Sequence, residues 1–240
     1  MSGAFGVGGG IILVPLLVSF VGLDQRSAAA TSLLAILPTA IAGSITYLAN
    51  GEVDYIAAAF IAAGAIVGAI IGSALLKRIP IAILRWLFIA LLIAVAVRMF
   101  LEDPVRGEPL ALTPVLAIAY VGLGLVMGIA SGLLGVGGGI IAVPALVALF
   151  GISDLVAKGT SLLVMIPTTL SGTLRNRSSG LVQVRTGLIV GAAAAVASIG
   201  GAFIALGIPA KAASIAFAVF LVGIAIHMTI RAIKAQRSGT

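Results

Sequence analysis

Gly3-Ala-Phe-Gly-Val-Gly-Gly-Gly-Ile-Ile-Leu-Val-Pro15 returns in this chain as Gly132-Leu-Leu-Gly-Val-Gly-Gly-Gly-Ile-Ile-Ala-Val-Pro144. The spacing from Gly3 to Gly132 also carries Thr31-Ser-Leu-Leu34 onto Thr160-Ser-Leu-Leu163 and Pro38-Thr39 onto Pro167-Thr168. It carries Gly43 onto Gly172, Gly51 onto Gly180 and Ile79-Pro80 onto Ile208-Pro209, without a gap. A duplicated apolar chain with glycine-broken segments in matching places is a common build among secondary transporters, with the site where the repeats meet.

Composition sets the solvent. Of 240 residues, 61% are hydrophobic and 9% charged, and the mean hydropathy is +1.30. Apolar runs of about 20 residues recur, the length that crosses a hydrocarbon core. The expected fold class is therefore an all-α integral membrane protein, multi-pass in the cell membrane, with the lipid bilayer as its first partner. The net charge of +7 comes from short segments between apolar runs, where cations orient helices. It gives no basic patch interleaved with aromatics, so nucleic acid is not expected as a partner. With no Cys and one His, neither a metal site nor a thiol cofactor is expected. A homo-oligomer is compatible with the sequence.

The glycines carry chemistry of their own. Three in a row destabilise a helix by about 1 kcal/mol each relative to Ala, and in a membrane the freed backbone groups must find partners. After Gly8-Gly9-Gly10 only about 11 residues remain before Gly22, which as helix cover about half a bilayer. The spacing thus predicts short half-helices opening at Gly10 and Gly139. Their N-termini would offer bare N–H groups and a positive dipole end to an anion. Close helix packing is the plainer reading of such glycines, and it is the one adopted for Gly64, Gly68 and Gly72. A phosphate-cradling loop is a poor alternative, since no Lys-Ser or Lys-Thr follows.

The expected spans are 9–21, 27–49, 55–76 and 82–101, then 111–131, 138–150, 159–175, 186–206 and 210–230. Between them lies a polar hinge, Glu102-Asp-Pro-Val-Arg-Gly-Glu-Pro109. This divides the chain into a first repeat (1–102), a hinge (103–110) and a second repeat (111–240). Lys77, Arg78, Arg85, Arg175, Arg177 and Arg185 place their loops on the cytoplasmic side, while Glu52 and Asp54 mark a loop on the other. Equivalent loops fall on opposite faces, so the repeats are expected to be inverted. A counterpart of helix 111–131 is expected upstream of Gly3.

Thr31-Ser32 and Thr160-Ser161 open the next helices, with Pro38 and Pro167 as kinks. Their hydroxyls either bond to backbone carbonyls or line a substrate path. Arg98 and its equivalent His227 fall near predicted helix ends and read as interfacial. Asp24 and Asp154 are read as loop residues after the half-helices. No helix core shows a carboxylate of the kind that relays protons.

The paired G-x-G-G-G-x-I-x-V-P segments, each followed by T-S-L and a proline, resemble the TauE/SafE sulfite exporter family. That resemblance implies a secondary transporter exporting small sulfur-containing anions, sulfite or organosulfonate, across the cytoplasmic membrane. Carried over by motif, the substrate-binding positions would be Gly8, Gly9, Gly10, Pro15, Thr31, Ser32 and Pro38. In the second half they would be Gly137, Gly138, Gly139, Pro144, Thr160, Ser161 and Pro167. An anion channel, or a carrier for another small anion, fits the same residues. An intramembrane hydrolase built on Ser131 and His227 lacks the flanking pattern of such serines, so no enzyme activity is expected. A non-transporting assembly factor would favour exposed soluble domains, which the sequence lacks.

Overall fold

The computed structural model describes residues 2–101, 113–207 and 210–237; the expected hinge at 103–110 lies outside them. The first half contains α1 (Ser2–Phe5), α2 (Gly10–Ser19), α3 (Gln25–Ala49), α4 (Tyr55–Leu76) and α5 (Ile81–Leu101). The second contains α6 (Pro114–Leu134), α7 (Gly139–Phe150), α8 (Asp154–Arg177), α9 (Val184–Gly207) and α10 (Ala210–Arg237). Helices α3, α4, α6, α8 and the Val184–Gly201 part of α9 are long and apolar enough to cross a membrane. The α2 and α7 helices have 10 and 12 residues and reach about half that distance.

The longer helices start where polar side chains can satisfy free N–H groups. Asp24 accepts from the N–H groups of Arg26 and Ser27, Asp54 from Ala57, Thr113 from Leu116 and Ser153 from Val156. The Ser153 cap corrects one expectation. Helix α8 begins at Asp154, not near 159, so Asp154 stands in its first turn rather than in a loop.

The sequence reading of Gly64, Gly68 and Gly72 as a packing face is matched by a second stripe, Gly124, Gly128 and Gly132. A methyl group on the first three would collide with the carbonyls of Val121, Leu125 and Ile129. On the second three it would meet those of Ile61, Ala65 and Ala69. Residue numbers rise together along both helices, so α4 and α6 run parallel with their backbones in direct contact. Lipid tails give apolar helices little reason to associate, and such close approach supplies the attraction instead.

Helices α3 and α8, equivalent by sequence, cross in the opposite sense. Gly43 faces Leu162, while Gly172 faces Leu33; rising numbers on one meet falling numbers on the other, an antiparallel register. Contacts between the halves come in reciprocal pairs. The N–H of Asp54 donates to Thr160 Oγ1 at 2.9 Å, and that of Gln183 to Thr31 Oγ1 at 3.0 Å. These pairs follow the sequence repeat, so each half holds the other in the same way. The helix α1 occupies the repeat position of Ser131–Leu134, the last turn of α6.

Candidate functional site

Each short helix is entered through the same backbone path. Gly6, Gly8 and Gly9 have φ of 65, 69 and 80°, and Gly135, Gly137 and Gly138 have 71, 80 and 91°. Left-handed geometry is costly for any residue with a Cβ, so three of each five-residue turn must be glycine. No side chain caps α2 or α7. The short helices open at Gly10 and Gly139, as the triple glycines led one to expect.

The two loops cross. A Cβ on Gly10 would lie 2.7 Å from the Gly135 carbonyl oxygen, and one on Gly139 would lie 2.5 Å from that of Gly6. Gly8 and Gly137 both lie against the Met165 methyl and the Ile36 side chain, so one α8 residue and its α3 equivalent close the crossing. Ser32 Oγ donates to the Gly135 carbonyl at 2.6 Å and Ser161 Oγ to that of Gly6 at 2.9 Å. Thr39 Oγ1 reaches the Gly8 carbonyl at 3.0 Å, whereas its equivalent Thr168 turns back to Val164.

The fold therefore gathers Gly8, Gly9, Gly10, Gly137, Gly138, Gly139, Ser32 and Ser161 around one crossing. It spends Thr31 and Thr160 on tethering the following loop of the opposite half. The prolines stand elsewhere. Pro15 lines a cavity of about 380 Å³ with His227, Pro144 a groove of about 510 Å³ between α5, α6 and α7, and Pro38 a groove of about 660 Å³ beside α9. Pro167 is half-buried within α8. Among the described residues Ser131 and His227 share no hydrogen bond; Ser131 is fully buried and His227 exposed. The side chain of Arg98 lies outside what is described.

Two features went unread in the sequence. One is a buried polar cluster in which Asn176 Nδ2 donates to Ser73 Oγ at 3.3 Å, while Asn176 Oδ1 and Thr173 Oγ1 lack partners. Their separation from one another in the chain hid it. The other is Lys158, 3% exposed, its backbone and stem lying against Gly6. A signal existed there: Lys158 follows Asp154 by four residues and stands where the first half has Ala29.

The chain matches the family described as "Sulfite exporter TauE/SafE" over residues 1–99 and 119–240. It belongs to the TauE/SafE sulfite exporter family. This TauE/SafE chain is 26% identical over 202 residues to the "Probable membrane transporter protein YunE" of Bacillus subtilis, covering 74% of each chain. It is 30% identical over 159 residues to a "Probable membrane transporter protein" of Haemophilus influenzae, covering 63% of this chain and 58% of that one. It is 31% identical over 85 residues to YdhB of Bacillus subtilis, also named a probable membrane transporter protein, covering 35% of each. No solved structure matches. Family, relatives and apolar spans together make it a multi-pass membrane transporter protein.

Proposed function

We propose that this protein is a secondary carrier that moves a small sulfur-containing anion, sulfite or an organosulfonate, out of the cell. The observation that carries the reading is the crossing of two uncapped helix N-termini, each entered through three left-handed glycines. Helix dipoles concentrate partial positive charge at such ends, and bare N–H groups replace the water an anion gives up. The antiparallel register of α3 and α8 supports inverted repeats, the arrangement in which one site can be presented to either face. The family name supports the substrate class.

Closure of the crossing by Met165 and Ile36 favours a carrier over an open pore. Energetically, an anion leaving a cell that is negative inside gains about 2.3 kcal/mol per charge per 100 mV. Uniport is then sufficient in principle. Flux of sulfite and methanesulfonate into and out of proteoliposomes, with and without an imposed potential, tests the reading. Saturable flux that responds to potential is expected; flux no greater than in empty liposomes overturns it.

A further inference from the structure

The crossing of glycine loops is uncharged, yet the most buried charged side chain among the described residues, Lys158, lays its backbone and stem against Gly6. Lys158 Nζ is 2.6 Å from Asp154 Oδ2, with side chains 4% and 12% exposed. Among the described side chains no other Lys, Arg, Asp or Glu is buried. The pair sits beneath the loop that joins α3 to α4, because Gly159 packs on the Glu52 carbonyl, Tyr47 and Val53. On the same face of α8, Ser161 holds the Gly6 carbonyl. Lys158 and Ser161 thus flank the glycine that opens the first loop.

Structure alone gives little reason for this pair. Burying two charges costs several kcal/mol per ion, and apolar replacements of a buried pair are often neutral or stabilising. The other half makes the comparison directly. Gln25 and Ala29 occupy the equivalent places, and Gly135 packs against Ala29 without a cation. The fold closes around either set, with the Gln25 Oε1 buried and unpartnered in the first half and the charged pair in the second. A cation in the N-terminal turns of α8 is also on the wrong side of the helix dipole. What the pair offers is a cation on a stem that lies against the loop, held by a carboxylate that an incoming anion resembles. Ionisable groups inside membrane spans mark substrate and ion pathways for this reason.

We propose that Lys158 is the cation that receives the transported anion, and that Asp154 occupies it while the site is empty. This rests on the carrier reading above. In this arrangement Asp154 is a tethered competitor: substrate binds as the carboxylate swings away, and Asp154 returns when substrate leaves. Its partial exposure, against the burial of Lys158, gives the carboxylate room to move toward water.

Sulfite flux in proteoliposomes of the full chain decides the matter, with reconstituted amount and thermal unfolding measured alongside. Asp154→Asn removes the competitor, and the apparent KM for sulfite is expected to fall several-fold. Neutralising both members, Asp154→Asn with Lys158→Met, avoids leaving a lone buried charge. It is expected to reconstitute like the native chain while KM rises at least about tenfold. A purely structural pair would shift stability and leave KM in place. If the native chain shows saturable flux and the double variant keeps KM within about twofold, the assignment of Lys158 is overturned and the carrier reading stands. A rise in KM for Asp154→Asn overturns the role of Asp154. Absence of saturable flux from the native chain removes the carrier reading and this assignment together.

Discussion

Ser161 Oγ and the Gly6 carbonyl oxygen lie 2.9 Å apart although 155 residues separate them in the chain. With the matching bond from Ser32 to Gly135, it is the means by which each half holds the other's glycine loop. A loop made of glycines has little stiffness of its own, so these hydroxyls help fix where α2 and α7 begin.

Replacing either serine by alanine leaves a buried carbonyl with one acceptor site unmet, a loss of about 1–3 kcal/mol. Ser161→Ala and Ser32→Ala are each expected to lower the unfolding midpoint in detergent and to reduce sulfite flux. Because the bonds are related by the repeat, the two variants should have similar effects. A native-like midpoint and rate for both would remove the serines from the account.

Met165 reaches both Gly8 and Gly137, so its size sets how tightly the crossing closes. Met165→Ala removes three heavy atoms from a fully buried site and is expected to cost about 2–5 kcal/mol. Its flux should lose saturation and approach a leak. Saturable flux with native KM from this variant would show that closure lies elsewhere.

The α4–α6 seam separates glycines that must stay from one that need not. Gly68→Leu would drive a side chain into the Leu125 carbonyl, whereas a Cβ on Gly122 meets nothing. The first is expected to separate the helices and lower expression and midpoint sharply. Gly122→Ala should be neutral or slightly stabilising, since helix propensity favours Ala by about 1 kcal/mol. Equal midpoints for the two would contradict the packing.

Much of this was readable because the repeat states it twice. Left-handed turns at Gly6, Gly8 and Gly9 recur at Gly135, Gly137 and Gly138, and the span 55–76 coincides with α4. The reading faltered where one half departs from the other. Gly151-Ile-Ser-Asp reads as a loop in sequence, which sets the expected start of α8 near 159 and leaves Lys158 outside the spans. Gly124, Gly128 and Gly132 carry the same spacing as Gly64, Gly68 and Gly72, but a helix period names no partner. Tertiary contact alone shows that the stripes face each other. The threonines illustrate a further limit, since a hydroxyl that lines a path and one that tethers a loop look alike in sequence.

Asp24 gives a pH-dependent test of the α3 cap. Partial burial would raise its carboxyl pKa, but the Ser27 hydroxyl, the N–H groups of Ser27 and Arg26, and the Arg26 charge outweigh this and hold it below 3.8. A lowered folded value means its stabilising effect is present above 3.8 and lost as pH falls through that lower value. Asp24→Ala should lower the midpoint near neutral pH by an amount matching about 1 kcal/mol. The gap from the native chain should shrink in strong acid. A gap that is constant with pH would mean that the carboxylate charge plays no part in the cap.

Inversion of the halves is open to direct labelling, because the chain has no Cys to interfere. Glu52 precedes α4 and Gln183 precedes α9, equivalent helices of the two halves. In inverted repeats those loops lie on opposite faces. Glu52→Cys is expected to react with a membrane-impermeant maleimide from outside intact cells, and Gln183→Cys only after permeabilisation. The Asp54 and Gln183 N–H groups bond to Thr160 and Thr31, at opposite ends of the antiparallel α3–α8 pair. Labelling of both positions from one face would break the link between that geometry and alternating access.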